Sequence, residues 1–276
     1  MNTKIIRKII KAEAWMNMAG NWLKSFAVVI LELLATVLIV GLLPFRIPAV
    51  AELQRASGDF RRTAELFMPT EITEKTVALC AVVLLLFLFV TAPFAVGRCR
   101  FFLKVGRGGK AKIGDAFTPF TSLKTVFSSI GLQIMIFALT VLWEIVMMII
   151  PAILMFVAIL LESRLILDVS AVLLVVSSYL TILIVSRYNF ARYILADNEN
   201  IGAVKALRQC MGIMKTKNME CIRLRLSYVL YDVLFSTSIG PFLFIYRIAF
   251  STVYAKYLDY LRGDRTFVFE EVPPQM

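Results

Sequence analysis

The sequence predicts an all-α membrane protein with about six transmembrane helices. They form three hairpins, each preceded by an amphipathic helix on the cytoplasmic side. Three observations carry this reading. Apolar residues make up 59% of the 276 residues and the mean hydropathy is +0.79, well above the balance of a soluble domain. Several apolar runs reach the roughly 20 helical residues that cross about 30 Å of hydrocarbon. The runs are unbroken rather than alternating, and backbone groups in lipid must be satisfied within a helix or a closed barrel, so helices are expected over strands.

Residues 1–21 form the first element. Lys4, Arg7, Lys8 and Lys11 alternate with Ile5, Ile6, Ile9, Ile10, Ala14, Trp15 and Met18 at helical spacing, which reads as an interfacial helix on anionic lipid. Trp15 and Trp22 suit the headgroup level. The apolar run comes too late for a cleavable signal. A single membrane domain follows over 22–262, then a polar tail over 263–276.

Span one covers 22–43, ends at Pro44 and carries Glu32 near its middle. Leu53, Ala56, Phe60, Ala64 and Phe67 suggest an amphipathic helix in the polar segment 46–75. Thr70 is placed to cap the next helix, with Glu71 and Glu74 near its positive end. Span two covers 77–96; Pro93 and Gly97 are expected to kink it and to permit close helix approach. A basic loop follows, with Arg98, Arg100, Lys104, Arg107, Lys110 and Lys112. Its Gly106, Arg107, Gly108 and Gly109 resemble a phosphate-loop fragment without the Walker pattern, and are read as a flexible turn.

Span three covers 126–150, but apolar character continues to Leu161. One straight helix over that run would be about 54 Å long, so Pro151 is expected to bend it and lay the remainder at the outer interface. Glu162, Ser163 and Arg164 make the turn into span four, 167–185. The basic, half-apolar segment 201–217 precedes spans five and six, 222–239 and 242–261, which turn at Ser238, Ile239, Gly240 and Pro241. Arg223, Arg225 and Lys256 are expected to snorkel to the interface. Tyr188, Tyr193, Tyr254, Tyr257 and Tyr260 read as an aromatic belt on the inner side.

Charge sets topology. The amino end, the loop after span two and the segment after span four hold most of the Lys and Arg, including Lys215 and Lys217. With six spans all three face the cytoplasm, and both termini lie there. A net charge of +11 placed in these flanks points to anionic lipid rather than nucleic acid. The absence of histidine removes the commonest general base, the Ser-His triad and most zinc sites. Cys80, Cys99, Cys210 and Cys221 form no CxxC pair and read as free, small apolar residues. A loose threefold repeat precedes spans one, three and five: Ala14 to Lys24, Ala116 to Lys124, and Ala206 to Lys215. Its copies are parallel, so the inverted-repeat transporter signature is missing.

Tyr193-Ile-Leu-Ala-Asp197, Ala206-Leu207, Ile213-Met-Lys215, Leu226-Ser227 and Ile239-Gly240 together resemble the domain-of-unknown-function-975 family of bacterial integral membrane proteins. Pro93, Gly97, Phe101-Phe102 and Tyr254-Ala-Lys-Tyr257-Leu258 also fit. Cys210, Thr216 and Tyr246-Arg247 stand where that family usually has Ser, Gly and Pro-Tyr. The resemblance implies a multi-pass protein of the bacterial cell membrane and brings no reaction. It extends distantly to the membrane segments of some glycerophosphodiester phosphodiesterases.

Glu32, Glu144, Asp232 and Arg247 fall inside the expected spans, where an ionisable group is costly unless paired or wet. Asp232 and Arg247 are nearly equidistant from the Ile239-Gly240 turn, and Glu32 lies at similar depth. A buried polar cluster of Glu32, Asp232 and Arg247 is therefore expected, either fixing helix register or handling protons or anions. Glu144 is expected to reach water or Arg164. No catalytic constellation is visible, so an enzyme, a metal or a cofactor is not expected. The leading expectation is a non-enzymatic protein whose cytoplasmic-side helices engage anionic lipid or a protein partner, a second copy included. The alternative is a small transporter or channel-like protein using the mid-membrane charges.

Overall fold

The computed structural model describes residues 3–42, 74–161, 163–198, 201–237 and 241–263. Those residues are helical throughout apart from short turns. Eight α-helices are described: α1 (Thr3–Met18), α2 (Trp22–Val40), α3 (Glu74–Gly106), α4 (Leu123–Leu160), α5 (Arg164–Ser186), α6 (Phe190–Asp197), α7 (Ala203–Thr237) and α8 (Pro241–Arg262). Two 3-10 segments, Ile113–Thr121 and Arg187–Asn189, lead into α4 and α6. The amphipathic helix expected within 46–75 falls almost wholly outside the described residues, as does the turn at 238–240.

Four stretches are long and apolar enough to cross a membrane: Trp22–Val40, Val77–Gly106, Leu123–Leu160 and Arg164–Asp197. They are inside out relative to a soluble helix. In α4 only 11% of the apolar window is buried, and Phe137, Ile145, Ile150, Phe156 and Leu160 all point outward. Such a surface is stable against hydrocarbon and would be an aggregation hazard in water.

The packed core sits where the sequence is more polar. It collects the second halves of α3 and α8, the first halves of α4 and α7, most of α1 and nearly all of α6. In α6, Phe190, Ala191, Tyr193, Ile194, Leu195 and Ala196 are buried, so this two-turn helix is a central peg. Phe190 stacks on Tyr254 with ring centroids 4.0 Å apart. Gly97 permits the closest approach. A Cβ there would lie 1.8 Å from the Ala116 carbonyl oxygen, so the 3-10 segment rests directly on the α3 backbone.

Several expectations are corrected. The apolar stripe of α1 (Ile6, Ile10, Ala14, Met18) packs into the protein core instead of lying on lipid, because α3 and α8 offer it a complementary face. Trp15 and Met16 remain outside. The segment 201–217 is likewise not a separate surface helix: it is the start of the 35-residue α7, and Ala206, Leu207, Cys210 and Met214 are buried. The second copy of the threefold repeat is 3-10 rather than α-helical, since Pro119 lies inside it. Helix α3 runs past Pro93 to Gly106, ten residues beyond the expected end of the span at 96. Helix α4 continues through Pro151 for 38 residues, about 57 Å at 1.5 Å per residue. Pro151 is buried, and α4 and α5 form the most extensive helix pair in the fold, so packing carries the helix past the lost hydrogen bond. Tyr188, Tyr193, Tyr254 and Tyr257 are core residues rather than belt anchors. Lys256 is buried beside Glu13 rather than snorkelling outward.

The glycine-rich turn is anchored, not loose. Arg107 donates to Asp259 Oδ1 at 2.7 Å and to Asp197 Oδ1 at 2.6 Å, and Arg262 donates to Asp197 Oδ2 at 2.7 Å. Asn17 Nδ2 donates to the Gly106 carbonyl at 2.7 Å. One turn thus ties α1, α3, α6 and α8 together. The two carboxylates, Asp259 foremost, hold the Arg107 proton more tightly than usual, outweighing the cost of partial burial.

Candidate functional site

The helices that meet at the core leave a cavity of about 400 Å³ on its spanning side. Four arginines line it: Arg98 of α3, Arg192 of α6, Arg225 of α7 and Arg247 of α8. Their placement follows from helical spacing. On α8, Arg247, Phe250, Ser251 and Tyr254 recur at intervals of three and four and so share the face that lines the cavity. On α6, Arg192 sits between buried neighbours and cannot leave the packed layer; its Nη2 donates to Gln133 Oε1 of α4 at 2.8 Å.

A single carboxylate bridges two of these cations. Glu32 Oε2 of α2 accepts from Arg98 Nη1 at 2.6 Å and from Arg247 Nη2 at 3.2 Å. The Arg98 and Glu32 side chains are 14% and 11% exposed, whereas Arg247 is 43% exposed and is the more open partner. Arg98 Nε is buried and has no hydrogen-bond partner among the described residues. Arg225 lies over the Phe250 ring at 4.7 Å. The other cavity carboxylate, Glu144, expected to reach water or Arg164, accepts from Ser178 Oγ at 3.1 Å. Among the described side chains the cavity region therefore sets four arginines against Glu32 and Glu144.

Three hydroxyls at the wall are spent on backbone carbonyls. Tyr254 donates to the Ser186 carbonyl at 2.8 Å, Tyr193 to the Ser251 carbonyl at 3.2 Å, and Ser186 to the Leu183 carbonyl at 2.6 Å. The guanidinium groups are the charged donors at the wall. Their planar forks match carboxylate, phosphate or sulfate oxygens better than a spherical ion.

Of the three residues expected to cluster, the structure brings Glu32 and Arg247 together, while the Asp232 side chain lies outside the described residues. Arg98 takes a third place that the sequence reading assigned to the basic loop. It belongs to the site because α3 stays helical past the expected span end at 96, carrying Arg98 within its packed face. Arg192 carried no assigned role; its one legible signal was an arginine embedded in the apolar Phe190–Asp197 helix. The basic residues read as lipid-facing divide. Lys8, Lys110, Lys112 and Lys215 are exposed, and Arg7, Lys11, Arg100 and Lys217 are half-buried. Lys104 pairs with Asp115, and Arg98 and Arg107 are spent on internal ion pairs. The side chain of Lys4 lies outside the described residues. Comparison of the chain with protein-family models, with curated proteins and with solved structures gives no match.

Proposed function

We propose that this protein is a multi-pass membrane protein that binds an anion in the arginine cavity and passes it through the bilayer, as a small transporter does. The observation that carries the reading is the excess of arginine around a cavity among membrane-length helices. Arginine at such depth is costly, and its retention at four cavity positions is explained by a charged ligand. The apolar faces of α1 and of the α7 start are buried in protein, which weakens the lipid-interface alternative for those segments.

In this reading the part of α7 from residue 222 onward and α8 are spans five and six. They are less apolar than the other four because they carry the polar residues of the core and cavity. This reading assigns the exposed lysines and both termini to the cytoplasmic side, by the distribution of Lys and Arg along the sequence. The resemblance to the domain-of-unknown-function-975 family supports a bacterial cell membrane as the location in this reading. Anion flux into proteoliposomes is the test. Flux that is lost in Arg247→Gln, with unchanged elution and helicity, supports the proposal; equal flux in wild type and Arg247→Gln refutes it.

A second reading keeps the protein as a lipid-interface scaffold. It is favoured by Phe117, Phe120 and Leu123, which are exposed on and beside the 3-10 segment next to exposed Lys112 and Lys124. Flotation of the whole protein in nanodiscs with anionic vesicles, against a Lys112→Glu, Lys124→Glu variant, measures that contribution.

A further inference from the structure

Resting on the anion-binding reading, we infer that Glu32 is a tethered stand-in for the ligand: an oxyanion enters by displacing its carboxylate from Arg98 and Arg247, and the displaced Glu32 takes up a proton. The site is built for an oxygen. Two guanidinium groups from different helices converge on one atom, Glu32 Oε2, at 2.6 and 3.2 Å. That is the arrangement in which two arginines hold a phosphate, sulfate or carboxylate oxygen. Arg98 also keeps a buried, unused donor at Nε. A ligand with several oxygens satisfies Nε and both Nη partners, which one glutamate oxygen does not.

Charge explains why a stand-in is needed. Without Glu32, Arg98 and Arg247 would face each other and the nearby Arg192 in a low-dielectric region. The glutamate neutralises the empty cavity and competes with the arriving anion. The Glu32 carboxylate, once it loses both its cations in a low-dielectric region, is more stable as the neutral acid. The groups that face it are Arg98 and the thiol of Cys99 from α3, Arg247 from α8 and, farther off, Arg192 from α6. The 3-10 segment contributes only Asp115, which is already paired with Lys104. The other described carboxylate at the cavity, Glu144, is held by the Ser178 hydroxyl of α5, so the proton is assigned to Glu32. Anion binding and proton uptake are then one event, which is what couples an anion's movement to a proton gradient.

Calorimetric titration of the full chain in detergent, in buffers of differing ionisation enthalpy, tests this. The probes are sulfate and dioctanoyl phosphatidylglycerol, neither of which titrates near neutral pH. Wild type takes up about one proton per anion bound. Glu32→Gln keeps size and shape, removes the competitor and takes up none; its affinity rises about tenfold, the scale of one charge-assisted hydrogen bond. Glu32→Asp, whose shorter reach loosens both ion pairs, shows a smaller gain with proton uptake kept. Tighter binding of sulfate assigns a free oxyanion, and tighter binding of the lipid assigns a headgroup. If Glu32→Gln binds with wild-type affinity and the same proton balance, the stand-in role is wrong while the cavity reading survives. If neither probe binds wild type or Glu32→Gln, the cavity reading itself is wrong.

Discussion

Replacing Gly97 by alanine adds one carbon at the tightest backbone contact described in the fold. That carbon would lie 1.8 Å from the Ala116 carbonyl oxygen, against the 3.4 Å at which ordinary contact begins. The obstacle is backbone, so no side-chain rotation relieves it. The whole segment Ile113–Thr121 must retreat, and with it the contact between Phe117 and Phe94, whose ring centroids are 5.3 Å apart. Overpacking of this kind costs about 1–3 kcal/mol, and a backbone clash belongs at the upper end. A loss of about 3 kcal/mol lowers the midpoint of a chain of this size by roughly 10 °C. Thermal unfolding in detergent, followed by dye labelling of the buried Cys99 thiol, measures it. Gly114→Ala is the control, since a Cβ there meets nothing within 4 Å. Because Arg98 follows Gly97 directly, Gly97→Ala should also weaken anion flux. A midpoint within about 1 °C of wild type would refute the claim that the glycine is required by close approach.

Three further outcomes are expected. Arg107→Leu leaves Asp259, whose side chain is 7% exposed, without its main counter-charge, and should cost about 3–5 kcal/mol in chemical denaturation. Adding Asp197→Asn and Asp259→Asn should recover much of that loss. Asp115 resists the upward push of partial burial because the Lys104 ammonium and the Lys112 backbone N–H hold its carboxyl below the usual carboxylate range. Its stabilising contribution is therefore complete above about pH 4 and lost as pH falls through the lowered value. An acid unfolding profile of Asp115→Asn should lack that component. Burial, reinforced by neighbouring Cys221, pushes the Cys210 thiol up to about 12. Cys210 should resist iodoacetamide at pH 8 in the folded protein and react once unfolded; mass mapping of the labelled thiols reads this out.

What the amino-acid sequence determined alone follows from solvent preference. A run of some 20 apolar residues has one stable solution in lipid, so the helical class and the four long apolar helices were legible from composition and periodicity. The meeting of Glu32 with Arg247 was expected from their similar depth on separate spans, counted in residues; the hairpin count that paired Arg247 with Asp232 concerns a side chain outside the described residues. Tertiary structure decided everything that depends on which face meets which. Amphipathic segments such as α1 look the same whether their apolar stripe is destined for lipid or for protein, and only the presence of α3 and α8 beside it settles the matter. Buried tyrosines look like interfacial ones until Phe190 is found stacked on Tyr254. Arg98 reads as a flanking charge, and Arg192 draws no role, because hydropathy marks where the greasy run stops, not where the helix stops. Their meeting around one cavity depends on α3 and α6 crossing at the core, a long-range fact that no local pattern of residues encodes.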